Sequence, residues 1–266
     1  LKDNLLCGSD NLDVIKGILA RAGGKTSGSL AQVASYQEVM KRLKAKLGGA
    51  EPQVRWYVQP LGYLETVRAA RAEPQRRRSR SMLDIFKSEG FAAIQAIGGT
   101  VDFSVDRYEI VYRVAVWAPP PYQGAMRMLK FPNGTDFAPQ RWVPAQVAGY
   151  CTFHVDVLNV FDNFGSLFDA LFNEDGKPGL WKQTLESLEK DPNGPRISLR
   201  KEVVAQLANR VTVVSDYQLP ITTASERLLF AIEAKDEKAV AKALDKMFKP
   251  DKEMMRQREF QKHIIW

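Results

Sequence analysis

The sequence predicts an α+β protein in which mixed or antiparallel sheets carry helices on one face. Two observations lead to this class. A short apolar strand followed by an amphipathic helix recurs along the chain, so the hydrophobic period changes from that of a strand to that of a helix. In addition, two alternating runs at 100–105 and 108–117 flank Asp106-Arg107, which is the pattern of an antiparallel hairpin. The hairpin favours α+β over an all-parallel, doubly wound sheet.

The repeated strand–helix unit is clearest near the two ends of the chain. Residues 4–10 predict a strand and residues 12–19 a helix, with Asp10 as the helix N-cap. Residues 227–235 predict a strand before a helix at 239–244, with Asp236 as its N-cap. Two looser copies lie between them, with strands at 54–58 and 150–155 and helices at 61–67 and 157–171.

The remaining elements follow from helical spacing, alternation and glycine or proline stops. Helices are predicted at 29–47, 60–70, 82–89, 181–189 and 198–207, and a strand at 210–217. Residues 260–266 are expected to pair back as a closing strand. Residues 118–149 are rich in Pro and Gly and predict an irregular connection. The chain is thus expected to be one α+β unit, or two similar subdomains split as 1–117 and 150–266.

Size and composition bound the class of protein. The chain has 266 residues, 45% of them hydrophobic and 26% charged, which is typical of a soluble globular protein. No apolar run approaches the roughly 18 residues that would predict a membrane span. The chain begins without Met, close to a predicted strand, and ends inside another. We therefore expect a fragment of a longer protein, with any export signal outside it.

The net charge of +7 is concentrated in the first third of the chain. Residues 1–90 carry 16 Lys and Arg against 9 Asp and Glu, whereas residues 91–266 carry 22 of each. Four of the cations form one cluster, Arg76, Arg77, Arg78 and Arg80, which is a candidate anion-binding site. A solvated loop is the favoured interpretation of this cluster. One cluster does not predict specific nucleic-acid binding, which usually spreads basic residues over a face.

Residues that could support catalysis or ligate a metal are few. Cys7 and Cys151 lie in separate apolar runs and are expected to be buried small side chains, with a single bridge between them left open. His154 and His263 lie in predicted strands, and His154 is expected to be satisfied by a neighbour. No cluster has metal-ligand spacing. The sequence therefore predicts no catalytic residue, no metal and no cofactor.

Aromatic side chains flank the proline-rich connection. Trp117, Tyr122, Phe137 and Trp142 are the candidate partner-binding residues, because extended proline segments beside aromatics dock partners. The favoured alternative is a long loop folded over a sheet face.

Seven segments carry a resemblance to a known family: 55–63 (RWYVQPLGY), 129–134 (LKFPNG), 191–195 (DPNGP), 210–217 (RVTVVSDY), 219–222 (LPIT), 226–231 (ERLLFA) and 258–266 (REFQKHIIW). In these segments, which span most of the chain, the protein resembles a family of uncharacterised exported proteins of planctomycete bacteria. The resemblance implies a longer protein with an N-terminal export signal and a location in the periplasm or cell envelope. It implies no reaction and transfers no site residues.

Three functions are consistent with these observations. The first is a non-enzymatic structural or protein-interaction module of the cell envelope, with other envelope proteins as partners. The second is an extracytoplasmic binding module for a peptide, glycan or lipid, contacted through the loop at 117–142. The third is a hydrolase with a dispersed site, for which His154 is the plausible centre. The scarcity of catalytic motifs favours the first, and an exposed apolar patch of several hundred Å² would support it.

Overall fold

A computed structural model describes residues 6–24, 28–70, 81–173, 177–248, 258–261 and 263–265. The chain divides into two compact units, one formed by residues 1–79 with 92–121 and the other by residues 80–91 with 122–266. Each unit contains a three-stranded antiparallel sheet together with helices. The predicted α+β class is therefore confirmed, whereas the similarity of two halves and the strand–helix repeat stay predictions.

The first unit is built on a sheet with the strand order β1-β2-β3. Its elements are α1 (Leu12–Ala22), α2 (Ala34–Lys44), β1 (Val54–Val58), α3 (Pro60–Ala70), β2 (Ala96–Val105) and β3 (Tyr108–Trp117). β2 and β3 form the predicted hairpin, with Val105 opposite Tyr108 across a two-residue turn. The boundaries of α3 match the sequence prediction, because Pro60 fits the first turn of a helix.

The start of α1 differs from the prediction by one residue. Asn11 is the N-cap, and its side-chain oxygen accepts a hydrogen bond from the backbone N–H of Asp13 at 2.9 Å. The expected cap, Asp10, lies one position earlier, and residues 6–10 are not in a strand. Asp236 is confirmed as a cap, since its carboxylate accepts a hydrogen bond from the N–H of Ala239 at 3.0 Å.

Helix α2 covers one face of the first sheet, and a glycine makes this close packing possible. A side chain at Gly98 would place its Cβ 2.6 Å from Val39 Cγ1. The core cluster here combines fully or nearly buried side chains of α2 and β2, namely Val39, Leu43 and Ala96. The predicted position of helices on a sheet face is thus seen in this unit.

The end of β2 is held by polar contacts on the same sheet. Asp102 is buried and forms an ion pair with Arg113 on β3. Its second oxygen accepts a hydrogen bond from the backbone N–H of Gln53 at 3.1 Å. The side chain of Gln53 bonds both the N–H and the C=O of Phe103, at 2.9 and 3.2 Å. These contacts fix the position of β1 against β2.

The second unit has a sheet with the strand order β4-β5-β6. Its elements are α4 (Met82–Ser88), β4 (Gly149–His154), α5 (Val157–Phe172), α6 (Leu180–Lys190), β5 (Leu207–Tyr217), β6 (Glu226–Ala234), α7 (Glu237–Phe248), β7 (Arg258–Phe260) and β8 (His263–Ile265). Residues 199–206, predicted as a helix, form one π turn and one 3₁₀ turn.

The junction between α5 and α6 is organised around a buried carboxylate. Asp169 accepts hydrogen bonds from the backbone N–H groups of Gly179 at 2.7 Å and Trp181 at 2.6 Å, which satisfies donors at the start of α6. The indole of Trp181 then packs on α5, with its ring 5.0 Å from that of Phe168. Gly165 leaves room for the indole, because a Cβ there would lie 2.6 Å from it.

Two expectations from the sequence, about the cysteines and about the closing strand, are wrong. Cys151 is exposed on β4 and Cys7 is only half-buried, so neither behaves as a buried small residue, and both are free. The chain terminus does not return as a single closing strand. Instead, β7 and β8 pair with each other in a short hairpin, with Phe260 opposite His263.

Within the described ranges, no helix has the length and apolar character that crossing a membrane requires.

Two carboxylates of the second unit hold strong polar partners. Asp156, the N-cap of α5, accepts hydrogen bonds from Lys130 Nζ at 2.8 Å and from the N–H of Asn159 at 3.1 Å, and both lower its pKa. Asp162 accepts two bonds of 2.7 Å from the guanidinium of Arg200, which lower the pKa of Asp162. The ionised forms are therefore favoured in the folded state.

Replacing Gly98 with Ala should destabilise the first unit, because the new methyl group would overlap Val39 and approach the carbonyl oxygen of Trp56 to 3.0 Å. We expect the free energy of unfolding to fall by about 1–3 kcal/mol in urea denaturation. The matched control is Gly62→Ala in α3, where the nearest atom lies 3.8 Å away and helix propensity favours Ala. Equal stability of the two variants would contradict the packing of α2 described above.

Stability should also fall in acid. The folded pKa values of Asp156 and Asp162 lie below their unfolded values near 4, so their contribution is complete above about pH 5 and is lost as the pH falls through the folded pKa values. Asp162→Asn should reduce the loss of unfolding free energy between pH 6 and pH 3 by less than about 1 kcal/mol, because the ion pair is partly exposed. Urea denaturation at the two pH values measures this loss. Arg200→Met, which removes both hydrogen bonds to Asp162 and leaves its carboxylate, should reduce the loss equally, and an undiminished loss in this variant would refute the assignment.

Candidate interaction surface

Strand β3 turns its apolar side chains outward. Its alternate residues on one face are Tyr108, Ile110, Tyr112, Val114 and Val116, and they are 45–67% exposed. Burial along the strand alternates accordingly, and the intervening side chains from position 111 onward are half-buried. This row of five side chains is called the β3 stripe below.

The same face of the sheet is apolar beyond β3. On β2, Phe103 lies opposite Ile110 and Val101 opposite Tyr112, and Phe103 is 45% exposed. On β1, Val54 lies opposite Val101. The stripe is therefore the outer part of a continuous apolar sheet face.

The stripe faces outward because α2 occupies the opposite face. The side chains of β3 on the α2 side include Ala115 and Trp117, which pack against the α2 core, but also the charged Glu109 and Arg113. The stripe side of the strand thus carries no charge, while the α2 side carries two, of which Glu109 lies beyond the helix and is exposed. This polarity is the reverse of an ordinary half-solvated strand, and contiguous exposed apolar patches mark interaction sites.

The predicted partner-binding residues do not all lie in one unit. Trp117 ends β3 in the first unit, where it is half-buried against the α2 core and the guanidinium of Arg42 lies 4.7 Å from its ring. Tyr122, Phe137 and Trp142 belong to the second unit. Trp117 therefore has a packing role in the first unit, and partner binding by the four aromatics stays a prediction.

Phe137 is part of a loop that folds over the second sheet. Its ring lies edge-on to the imidazole of His154, with the centroids 5.2 Å apart. Earlier in the loop, Phe131 packs against Phe153 at 6.5 Å. Tyr122 and Trp142 remain 45% and 46% exposed. Residues 134–140 lie on the face of the second sheet that carries His154, as the favoured interpretation of this segment predicts, whereas Phe131 contacts the neighbouring strand residue, Phe153.

A buried arginine anchors this loop. Arg210 on β5 donates hydrogen bonds to the carboxylate of Asp136 and the carbonyl of Ala138, both in the loop, and to the hydroxyl of Thr152 on β4. Its side chain is 8% exposed, and Glu233 on β6 adds a second carboxylate at 3.7 Å. Charged hydrogen bonds of this kind impose direction as well as stability, so they fix the path of the loop.

His154 lies on β4 as predicted, but its surroundings differ from the expectation. Its Nδ1 is buried and makes no hydrogen bond with any described residue, so the prediction of a satisfied histidine is wrong for this atom. Gly134 packs directly on the imidazole, where any side chain would overlap the ring. Asp156, two residues further along the chain, is the N-cap of α5.

The remaining predicted sites receive no structural support. Arg76, Arg77, Arg78 and Arg80 lie outside the described residues, so anion binding there stays a prediction. In the part of the chain that the structure describes, no three His, Cys, Asp or Glu side chains are grouped to hold a metal ion.

The β3 stripe was not singled out from the sequence, although the signal is present. In Tyr108–Trp117, the only two charged residues occupy one face and the uninterrupted apolar set occupies the other. Period-2 alternation alone does not say which face a helix covers, and here the helix covers the face with the charges.

Comparison with protein-family models, with curated proteins and with solved structures finds no match for this chain.

Replacing Arg210 with Met should release the loop from the second sheet, because it removes the donor to the carbonyl of Ala138 and leaves the carboxylate of Asp136 with a hydrogen bond only from within its own loop. We expect a loss of about 1–3 kcal/mol in the free energy of unfolding and faster proteolytic cleavage within residues 131–143. The control is Arg141→Met, which removes an exposed arginine from the same loop. An unchanged cleavage pattern in the Arg210 variant would show that other contacts hold the loop.

Proposed function

We propose that this protein is a non-enzymatic structural or protein-interaction module of the cell envelope, which contacts other envelope proteins through the first sheet. The β3 stripe is the single observation that carries the proposal. A strand that exposes five consecutive same-face apolar side chains loses solubility unless a partner covers them.

The size of the surface supports this function. About half of the surface of the side chains in the β3 stripe, and of Phe103 and Val54 on the same face, is exposed. This exposed apolar area is on the order of 600 Å². A stable protein–protein interface buries about 800 Å² on each partner. The apolar face would therefore supply most of one interface, with its polar rim coming from neighbouring residues.

The composition of the surface also fits a protein partner. Tyr is enriched at protein interfaces because its ring buries a large area while its hydroxyl stays satisfied at the rim. Tyr108 and Tyr112 supply two such side chains on one strand, with Ile110 between them. The location in the envelope rests on the resemblance to exported planctomycete proteins.

A second candidate is an extracytoplasmic binding module for a peptide, glycan or lipid. The exposed aromatic rings of Tyr122 and Trp142, in the irregular segment of the second unit, favour it. In the isolated protein, a peptide, glycan or lipid that binds this segment should protect the fluorescence of Trp142 from quenching. Such protection would distinguish this function from a purely protein-binding one.

Cross-linking mass spectrometry on the protein in its native cell envelope tests the first proposal. We expect reproducible cross-links to other proteins that fall at least tenfold in Tyr112→Ser/Val114→Ser, because this variant removes the centre of the stripe. The matched control is Leu228→Ser/Phe230→Ser, which removes two exposed apolar side chains from β6 of the second sheet. A protein without cross-links, or one whose cross-links survive the first variant and not the second, would refute the role of the β3 stripe.

A further inference from the structure

The outer backbone edge of strand β3 is a second surface that lacks a partner among the described residues. Among the described residues β3 pairs only with β2, so one side of the strand has no strand partner. The strand is ten residues long and contains no Pro and no Lys, which are common protections of natural sheet edges. Its edge is therefore able to accept another strand.

The contacts of Gln53 show which backbone groups point to this edge. The N–H and C=O of Phe103 bond to Gln53 on the β1 side, so Phe103 and its opposite residue Ile110 do not bond to each other. The backbone groups of Ile110 consequently point away from β2. By alternation, the same holds for Tyr112 and Val114.

The sequence of β3 is complementary to itself in one antiparallel register. If two copies pair about Val111, Glu109 of each copy lies opposite Arg113 of the other, which gives two symmetric ion pairs. On the other face, Ile110 lies opposite Tyr112, an aromatic–aliphatic pair that favours sheet pairing. Registers centred on Glu109 or on Arg113 place like charges opposite each other, and the remaining registers leave Arg113 without an acid.

We propose that this protein forms a symmetric dimer in which β3 pairs antiparallel with β3 of a second copy, centred on Val111. The two sheets then form one continuous six-stranded sheet, with an exchanged pair of backbone hydrogen bonds between Ile110 and Tyr112. A two-fold axis through this interface makes it closed and isologous.

The position of α2 leaves room for this arrangement. Helix α2 packs over the Ala115–Trp117 end of β3. In the proposed register, Ala115 lies opposite Arg107 of the other copy, so the two α2 helices lie at opposite ends of the shared edge. Arg113 stays available, because its pair with Asp102 uses one nitrogen of a guanidinium that carries five donors.

The dimer goes beyond the proposed function, since it uses the edge of the sheet and not its apolar face. It also joins the two β3 stripes side by side, which doubles the width of the apolar face presented to an envelope partner. The two claims can fail separately.

Sedimentation equilibrium on the whole chain tests the dimer. We expect a monomer–dimer equilibrium that weakens as salt is raised, because salt screens the two exposed ion pairs. Glu109→Arg places four cations at the interface and should raise the dimer dissociation constant at least tenfold. Glu226→Arg, the same charge change on the edge strand β6, is the matched control and should leave the constant unchanged.

A disulfide measurement tests the register even if a charge variant folds poorly. In a background with Cys7→Ser and Cys151→Ser, Val111→Cys should form a dimer-linking disulfide on mild oxidation. Val111 opposes its own copy as a non-hydrogen-bonded pair with Cα atoms about 4.5 Å apart, which a disulfide can span. Tyr108→Cys should not cross-link, since its two copies would lie roughly 20 Å apart.

The outcomes separate the proposals. A monomer at all concentrations, a dimer broken equally by both charge variants, or a cross-link at position 108 and not at 111 would overturn the dimer. A monomer that still cross-links to envelope proteins through Tyr112 overturns the dimer and leaves the proposed function standing. A dimer with no envelope partner does the reverse.

Discussion

The close approach of α2 to β2 determines the character of the whole first unit. Val39 reaches the sheet because Gly98 has no side chain, and on the other face the indole of Trp56 lies over Gly99 for the same reason. Among the described residues, α2 packs on one face of this sheet, whereas on the other face Trp56 covers Gly99 and the side chains of the β3 stripe stay 45–67% exposed. The two glycines thus set how closely each face of β2 is packed, and the stripe lies on the face that α2 does not cover.

The second sheet is covered by a different kind of interaction. Its loop is held by the buried charge of Arg210, and the contacts with Asp136 and Ala138 have fixed directions. A charge taken out of water must be paired, so the loop and the arginine require each other. This requirement places Phe137 beside His154, and both Phe137 and Trp142 stay about half exposed, at 50% and 46%.

Local patterns in the sequence predicted elements well and long-range contacts poorly. The β2–β3 hairpin and the limits of α3 follow from alternation and from Pro60, which act within a few residues. The cap of α1 was misplaced because Asp10 and Asn11 are both good caps and only the backbone path decides between them. The contact of Arg210 with Asp136 joins residues 74 positions apart, and no local period records it. The exposure of Cys151 likewise depends on what covers its strand.

The two charged residues of β3 say more about the partners of the strand than its five outward-facing apolar residues do, because of the face that the strand turns toward α2. In a half-solvated strand, charges mark the wet face, and Glu109 and Arg113 would predict that the stripe is buried. Arg113 instead lies on the helix side because Asp102 neutralises it there. Glu109 has no such partner on its own sheet among the contacts that the structure describes, and it lies beyond the part of the strand that α2 covers. Glu109 thus lies near the unpaired edge of β3, on the same face as Arg113 and two pleats from it. With this spacing, a second antiparallel copy of β3 would place each Glu109 opposite an Arg113.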